Sequence, residues 1–147
     1  MRVVSVSISE EKGTKKKPVD FVELKVDHGI VGDAHAGDWH RQVSLLGVES
    51  LEKMKDAMPD LSSGDFAENI MTEGLTLYEL PIGTMLQVGE TKLEVTQIGK
   101  ECHGGCEIRR ITGDCVMPRE GIFAIVKTEG KVFPNDEIKI LKGNSND

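Results

Sequence analysis

Apolar and polar positions alternate with a period of two over Val3 to Ile8 (VVSVSI) and again over Phe21 to Val26 (FVELKV), the spacing of half-buried strands. The segment from Gly13 to Pro18 reads as the turn between them, so a hairpin-like pair is expected to open the chain. From Val43 to Met58 the apolar set becomes Leu45, Val48, Leu51, Met54 and Met58, close to helical spacing. Ser44 stands where an N-cap belongs and Pro59 lies beyond the end, which predicts one main helix over about 43–58 with a core-facing Met and Leu stripe.

After Pro59 the chain is dense in Gly, Pro, Ser, Asn and Asp, predicting irregular structure with short strands around Ala67 to Met71. Met85–Val88 and Lys92–Ile98 are apolar and β-branched, join at Gly89-Glu90, and read as a hairpin with Leu93 and Val95 on its buried face. Phe123–Lys127 and Glu137–Leu141 form a further predicted pair. Six or seven short strands, one helix and 16 glycines predict a mainly β protein, a compact β-barrel with long functional loops.

A chain of 147 residues suits a single domain over 1–147, with a frayed tail from about 143. Its 38% hydrophobic and 29% charged residues describe a globular protein, and no apolar run approaches the roughly 20 residues of a membrane helix. The first residues contain Ser5 and Ser7 within their short apolar stretch and no cleavage-type site, so a cytoplasmic location without membrane attachment is expected. A net charge of −7 repels a phosphate backbone, and no nucleic-acid partner is expected. The basic run Lys15-Lys16-Lys17 reads most simply as a solvated turn.

All three cysteines fall in one stretch, GKECHGGCEIRRITGDC, as Cys102, Cys106 and Cys115. Their C-x3-C-x8-C spacing lacks the second ligand pair of a structural zinc site unless His103 or Asp114 turns inward, and it matches no iron–sulfur pattern. An odd count in a reducing compartment disfavours a disulfide staple. Read as a reactive thiol, Cys102 has His103, Arg109 and Arg110 close in sequence, cations that would lower a thiol pKa from about 8.5. Cys115, between apolar neighbours on its C-terminal side, reads better as core.

Two further clusters stand out. His28 to Arg41 packs three histidines, two aspartates and an arginine among glycines, a composition suited to a loop that covers a ligand and equally to turn chemistry with solvated histidines. It contains neither a zinc-protease motif nor a nucleotide-binding glycine pattern. In Gly64 to Asn69 the Asn69 amide could read a heterocycle or merely satisfy its own turn.

In order, GIVGDAHAGDWHRQVSLL, GDFAENI, LPIGTMLQVGETKLEVTQIGKECH and GDCVMPREGIFAIV resemble the MOSC family, the domain related to the C-terminal part of molybdenum cofactor sulfurases, from about Val3 to Leu141. The resemblance implies a MOSC-type β-barrel with a cysteine at its pocket, here Cys102, and a link to the molybdenum cofactor and to persulfide sulfur. Gly32, Asp33, His35, Arg41 and Asn69 match the family's other motif positions and are expected at the cofactor, with Arg41 and Arg109 on the pterin phosphate. His103 and Cys106 are expected to assist Cys102; Cys106 and Cys115 either resolve its persulfide or make the loop a metal site. The larger sulfurases carry a pyridoxal-phosphate desulfurase domain for which 147 residues leave no room, so sulfur is expected from a separate cysteine desulfurase-type partner. Molybdenum cofactor biosynthesis proteins or molybdoenzymes would receive it. The alternatives are an oxidoreductase that reduces N-hydroxylated compounds with Cys102 as molybdenum ligand, and a non-catalytic cofactor-handover or zinc-stabilised module.

Overall fold

The computed structural model describes residues 1–11, 15–55, 59–99 and 120–141. Eleven strands are present among them: β1 (Arg2–Ile8), β2 (Lys17–Val19), β3 (Val22–Lys25), β4 (Gly29–Ile30), β5 (Val43–Gly47), β6 (Ile70–Glu73), β7 (Met85–Val88), β8 (Thr91–Ile98), β9 (Ile122–Thr128), β10 (Gly130–Val132) and β11 (Ile138–Ile140). Helix α1 spans Val48–Glu52. No helix among the described residues is long and apolar enough to cross a membrane.

Eight strands make one sheet in the order β11-β7-β8-β9-β5-β6-β1-β2, and β10-β3-β4 make a second. Val22, Leu24, Ile30 and Val132 of the small sheet join Val3, Leu45, Ile70, Leu86, Leu93 and Ile122 of the large one in the main core. The mainly β prediction holds, but the barrel is not closed. The ends of the large sheet meet at a single bridge, Arg2 to Glu137, with Val3 N–H donating to the Asp136 carbonyl at 2.8 Å. Beyond that point β2 continues as the edge, paired with β1 alone.

The predicted helix over 43–58 begins as a strand. Among the described residues of that range, Val43–Gly47 is a strand, antiparallel to β9 and parallel to β6, and Val48–Glu52 is helical, while 56–58 lie outside the described residues. Leu45 faces the main core while Leu46 faces a second cluster with Leu51, Phe66, Met71 and Phe123, so every residue of β5 is buried. A strand buried on both faces reads as a continuous apolar run, which periodicity cannot separate from a helix. Ser44, expected as the cap, lies inside this strand, and α1 has no side-chain cap.

Pairing also departs from expectation. β1 pairs with β2 and β6, whereas the Phe21–Val26 stretch supplies β3 of the small sheet. β9 pairs with β5 and β8, and β11 with β7, so the two C-terminal stretches predicted as a pair are apart. The Met85–Ile98 hairpin is as expected, with Leu93 and Val95 fully buried. Gly89 at its turn has φ +58, and a Cβ there would overlap the Asp136 carboxyl.

Candidate functional site

The histidine-rich loop between β4 and β5 is pinned from beneath by a buried ion pair. Lys16 Nζ lies 2.8 Å from Asp33 Oδ1 with both side chains fully buried. Asp33 Oδ1 also accepts the Ser9 N–H at 3.1 Å, and Oδ2 accepts the His35 N–H at 3.0 Å. Burial pushes the Asp33 carboxyl up, but the hydrogen bond and charge of Lys16 with the two backbone donors outweigh it and hold it below the ordinary carboxylate range. Lys16 is thus no solvated turn residue: the backbone just before β2 carries its side chain inward, where Ser9 Oγ and His35 Nδ1, each at 3.1 Å, complete its contacts.

A turn over Gly64–Asn69 supports this lysine. Lys16 N–H donates to the Gly64 carbonyl at 2.8 Å, and Gly64, at φ +91, lies so close that a Cβ would overlap the Lys16 carbonyl. The turn is closed by Glu68, whose carboxyl accepts the Gly64 N–H at 2.6 Å and the Phe66 N–H at 3.2 Å. Asn69 is buried, with Oδ1 accepting from Ser44 N–H and Oγ at 3.0 and 3.1 Å and Nδ2 donating to the Ser7 carbonyl at 3.1 Å. Its amide ties β1 and β5 together at the point where this turn leads into β6.

The outward side of the loop is aromatic and cationic. Trp39 donates its indole N–H to the His35 carbonyl at 2.8 Å, and the His35 and Trp39 rings lie parallel with centroids 6.5 Å apart. The Arg41 guanidinium sits 5.9 Å from the Trp39 ring and 5.3 Å from that of Phe123. Gln97 Nε2 donates to the Gly99 carbonyl at 2.7 Å, which orients the amide so that Oε1 accepts from Arg41 Nε at 3.2 Å and His40 Nε2 at 2.8 Å. Thr96 Oγ1 donates to the His40 carbonyl.

Of the residues expected at the site, Asp33 and His35 are brought together by Lys16, and Arg41 joins them through Trp39. Gly32 is exposed at φ +86, one residue before Asp33, and Asn69 lies apart on the Ser44 and Ser7 side. Cys102, His103, Cys106 and Arg109 lie outside the described residues, as do Cys115 and the tail from 143. What is described is where their segment attaches: Ile98 pairs with Ile122, and Gly99 N–H donates to the Gly121 carbonyl at 2.6 Å. Both ends therefore leave one end of the β8–β9 ladder, beside Gln97 and Phe123. Among the described residues no three His, Cys, Asp or Glu side chains converge on a point where a metal could bind.

Lys16, Glu68 and Gln97 were not legible as site-supporting residues. Nothing in a run of three lysines marks the middle one as buried; Gln97 acquires its role through His40 and Arg41, distant in sequence, and Glu68 bonds N–H groups only two and four residues away, in a turn whose burial no short pattern announces. A separate open cleft of about 380 Å³, lined by Glu49, Ser50, Lys53, Thr76 and Tyr78 among others, holds none of the expected residues.

A mainly β protein with a pinned, cation-bearing loop beside the roots of a cysteine-rich segment is the class that fold and site define. The chain belongs to the MOSC domain family, whose model matches residues 32–139, a family linked to the molybdenum cofactor. No curated protein matches it. Among solved structures it is similar to YuaD from Bacillus subtilis, at 20% identity, 93% coverage of each chain and a TM-score of 0.77. It is also similar to YiiM from Geobacillus stearothermophilus, at 17% identity over 96% of this chain and 75% of that one, with a TM-score of 0.71. YiiM from Escherichia coli matches at 20% identity, 99% and 72% coverage and a TM-score of 0.68. At these identities the likeness establishes the fold.

Proposed function

We propose that this MOSC domain carries sulfur for molybdenum-cofactor chemistry: Cys102 accepts sulfane sulfur as a persulfide, and Arg41 holds an anionic group of the molybdopterin to which it is delivered. Arg41 carries the reading. Its guanidinium is fixed by two aromatic rings and by Gln97, while neither Nη makes a hydrogen bond among the described residues, leaving a forked donor suited to phosphate oxygens. Cys102 follows Gly99 by three residues, so chain length alone keeps their Cα atoms within about 11 Å. Gly99 is itself bonded to Gln97.

In the loading step the Cys102 thiolate attacks the outer sulfur of a persulfide on a cysteine desulfurase-type donor. The donor cysteine leaves as a thiolate, the outer sulfur passes to Cys102, and no net oxidation or reduction occurs. The molybdenum cofactor, when bound, supplies the metal–sulfur acceptor. The chain's own residues orient its anionic end on Arg41 and cover one side with the Trp39 indole.

The test is intact-mass measurement after treatment with a cysteine desulfurase and cysteine. Wild-type protein should gain about 32 Da, one sulfur atom, and Cys102→Ala should not. Wild-type protein that takes no adduct rejects the carrier. Arg41→Ala should still take the adduct but bind isolated molybdopterin about ten-fold or more weakly, the loss expected for a charged hydrogen bond.

A further inference from the structure

β8 carries a bulge near its end: Val95 pairs with Ala124 and Gln97 with Phe123, which leaves Thr96 as the extra residue. Successive strand residues ordinarily face opposite sides, but here Thr96 and Gln97 both reach the loop before β5. Thr96 Oγ1 donates to the His40 carbonyl and lies 3.2 Å from that of Phe123, while Gln97 bonds the His40 and Arg41 side chains. The loop is thereby fastened to the β8–β9 ladder at His40.

Donor and acceptor chemistry fixes the sense of these bonds. Gln97 Nε2 donates to the Gly99 carbonyl at 2.7 Å, and Oε1 accepts from Arg41 Nε at 3.2 Å. The opposite amide orientation would set oxygen against oxygen at Gly99 and donor against donor at Arg41. The atom 2.8 Å from His40 Nε2 is therefore a carbonyl oxygen, which only accepts. His40 Nε2 must carry a hydrogen, and in the neutral ring Nδ1 is then a lone pair. No described residue hydrogen-bonds Nδ1, and Trp39 packs against the ring in a T-shape, with centroids 5.8 Å apart. His40 and Arg41 thus share one oxygen, and their bonded nitrogens lie within the sum of those two lengths of each other. Arg41 presents hydrogens at its Nη atoms and His40 an acceptor at Nδ1, two groups with opposite demands. An oxyanion without a hydrogen satisfies only the first and sets lone pair against lone pair at the second.

We propose that Gln97 is a positioning residue that fixes His40 as the neutral Nε2–H tautomer, and that His40 Nδ1 beside the Arg41 fork makes this loop select an oxyanion that still carries a proton, such as hydrogenphosphate, over one that carries none, such as sulfate. The tautomer follows from the Gln97 contacts alone, whereas the ligand half deepens the proposed function and rests on its anion site. Discrimination of this kind is strong because a site built around a ligand hydroxyl leaves its own polar group unpaired when the hydroxyl is missing.

The test uses long-range proton–nitrogen correlation spectra of nitrogen-15-labelled full chain, with His40 identified by His40→Phe. Wild type should show one neutral tautomer, Nε2 protonated and Nδ1 bare, and Gln97→Leu should give a mixture. A protonated Nδ1 in wild type, or an unchanged single tautomer in Gln97→Leu, overturns the assignment. Phosphate and sulfate are then titrated separately at about pH 8, where both are chiefly dianions and only phosphate keeps an O–H. The Arg41 Nε signal should report phosphate binding about ten-fold or more tighter than sulfate, and the His40 Nδ1 signal should move with phosphate. In His40→Phe the two affinities should become nearly equal. Equal affinities in wild type, or a preference that survives in His40→Phe, overturns the selection. Neither ion moving Arg41 Nε removes it together with the anion site, while failure of Cys102 to take sulfur would leave every one of these readouts unchanged.

Discussion

Glu68 should make this protein less stable as the pH rises from acid to neutral. The residue is 1% exposed, and burial pushes its carboxyl up to about 7 from an ordinary 4.5, outweighing the backbone N–H groups that favour its ionised form, while Asp65 adds to the rise. A carboxyl whose folded pKa exceeds its unfolded one binds its proton more tightly when folded. Its contribution is therefore fully present below about pH 4.5 and is lost as the pH climbs through about 7. A shift of that size corresponds to about 3 kcal/mol. Glu68→Gln removes the titration but sets an amide NH2 against one of the two backbone donors, Gly64 or Phe66, at a cost of about 1 to 2 kcal/mol. The variant should be the less stable protein at pH 4.5 and should equal or exceed wild type at pH 8. Urea unfolding across that range measures the difference directly, and a difference that stays constant with pH would falsify the burial argument.

Other substitutions probe the supports of the site. Gly64→Ala places a Cβ into the Lys16 carbonyl at a left-handed φ and should cost about 3 kcal/mol or more, read as a lowered Tm. Asn69→Ala strands the Ser44 N–H and the Ser7 carbonyl in the interior and should cost about 3 kcal/mol by urea midpoint, with Cys102 still able to take sulfur if it folds. Leu45→Ala and Leu46→Ala should each cost about 3 kcal/mol, because β5 is buried on both faces; a surface-like value for either would contradict the double-sided packing.

What the sequence made legible was local. The Met85–Ile98 hairpin announced itself because one face is buried and its turn is two residues long, so alternation and turn chemistry agree. β5 did not, because burial of Leu45 and Leu46 on opposite sides erases the alternation that identifies a strand. The pairing of β1 with β6 and of β9 with β5 joins segments tens of residues apart, on which no short pattern bears. The composition of the loop from His28 to Arg41 suits a ligand loop and solvated turn chemistry equally, and it carries no sign of the division of labour within the loop. Lys16 looked like one solvated charge of three, and only the position of Asp33 beneath the loop turns it inward.

That division sets the sign of the site. Both Asp33 oxygens are engaged, one by Lys16 and Ser9 and the other by the His35 backbone, so this carboxylate is neutralised in place and presents nothing to a ligand. Arg41 has no such counterpart, since its described partners are a neutral amide and two aromatic rings, and no carboxylate among the described residues pairs with it. A chain of net charge −7 thus holds a fixed, half-buried cation beside the roots of its cysteine segment while Asp33 is hidden under the loop. The Coulomb energy of an exposed pair is modest, but a guanidinium already stacked and oriented loses little freedom on binding, which favours a planar, forked contact with an anion. Replacing Arg41 by Lys keeps the charge and discards the fork. If geometry rather than charge selects the ligand, Arg41→Lys should weaken phosphate binding nearly as much as Arg41→Ala, and a lysine that fully restores it would show that charge alone suffices.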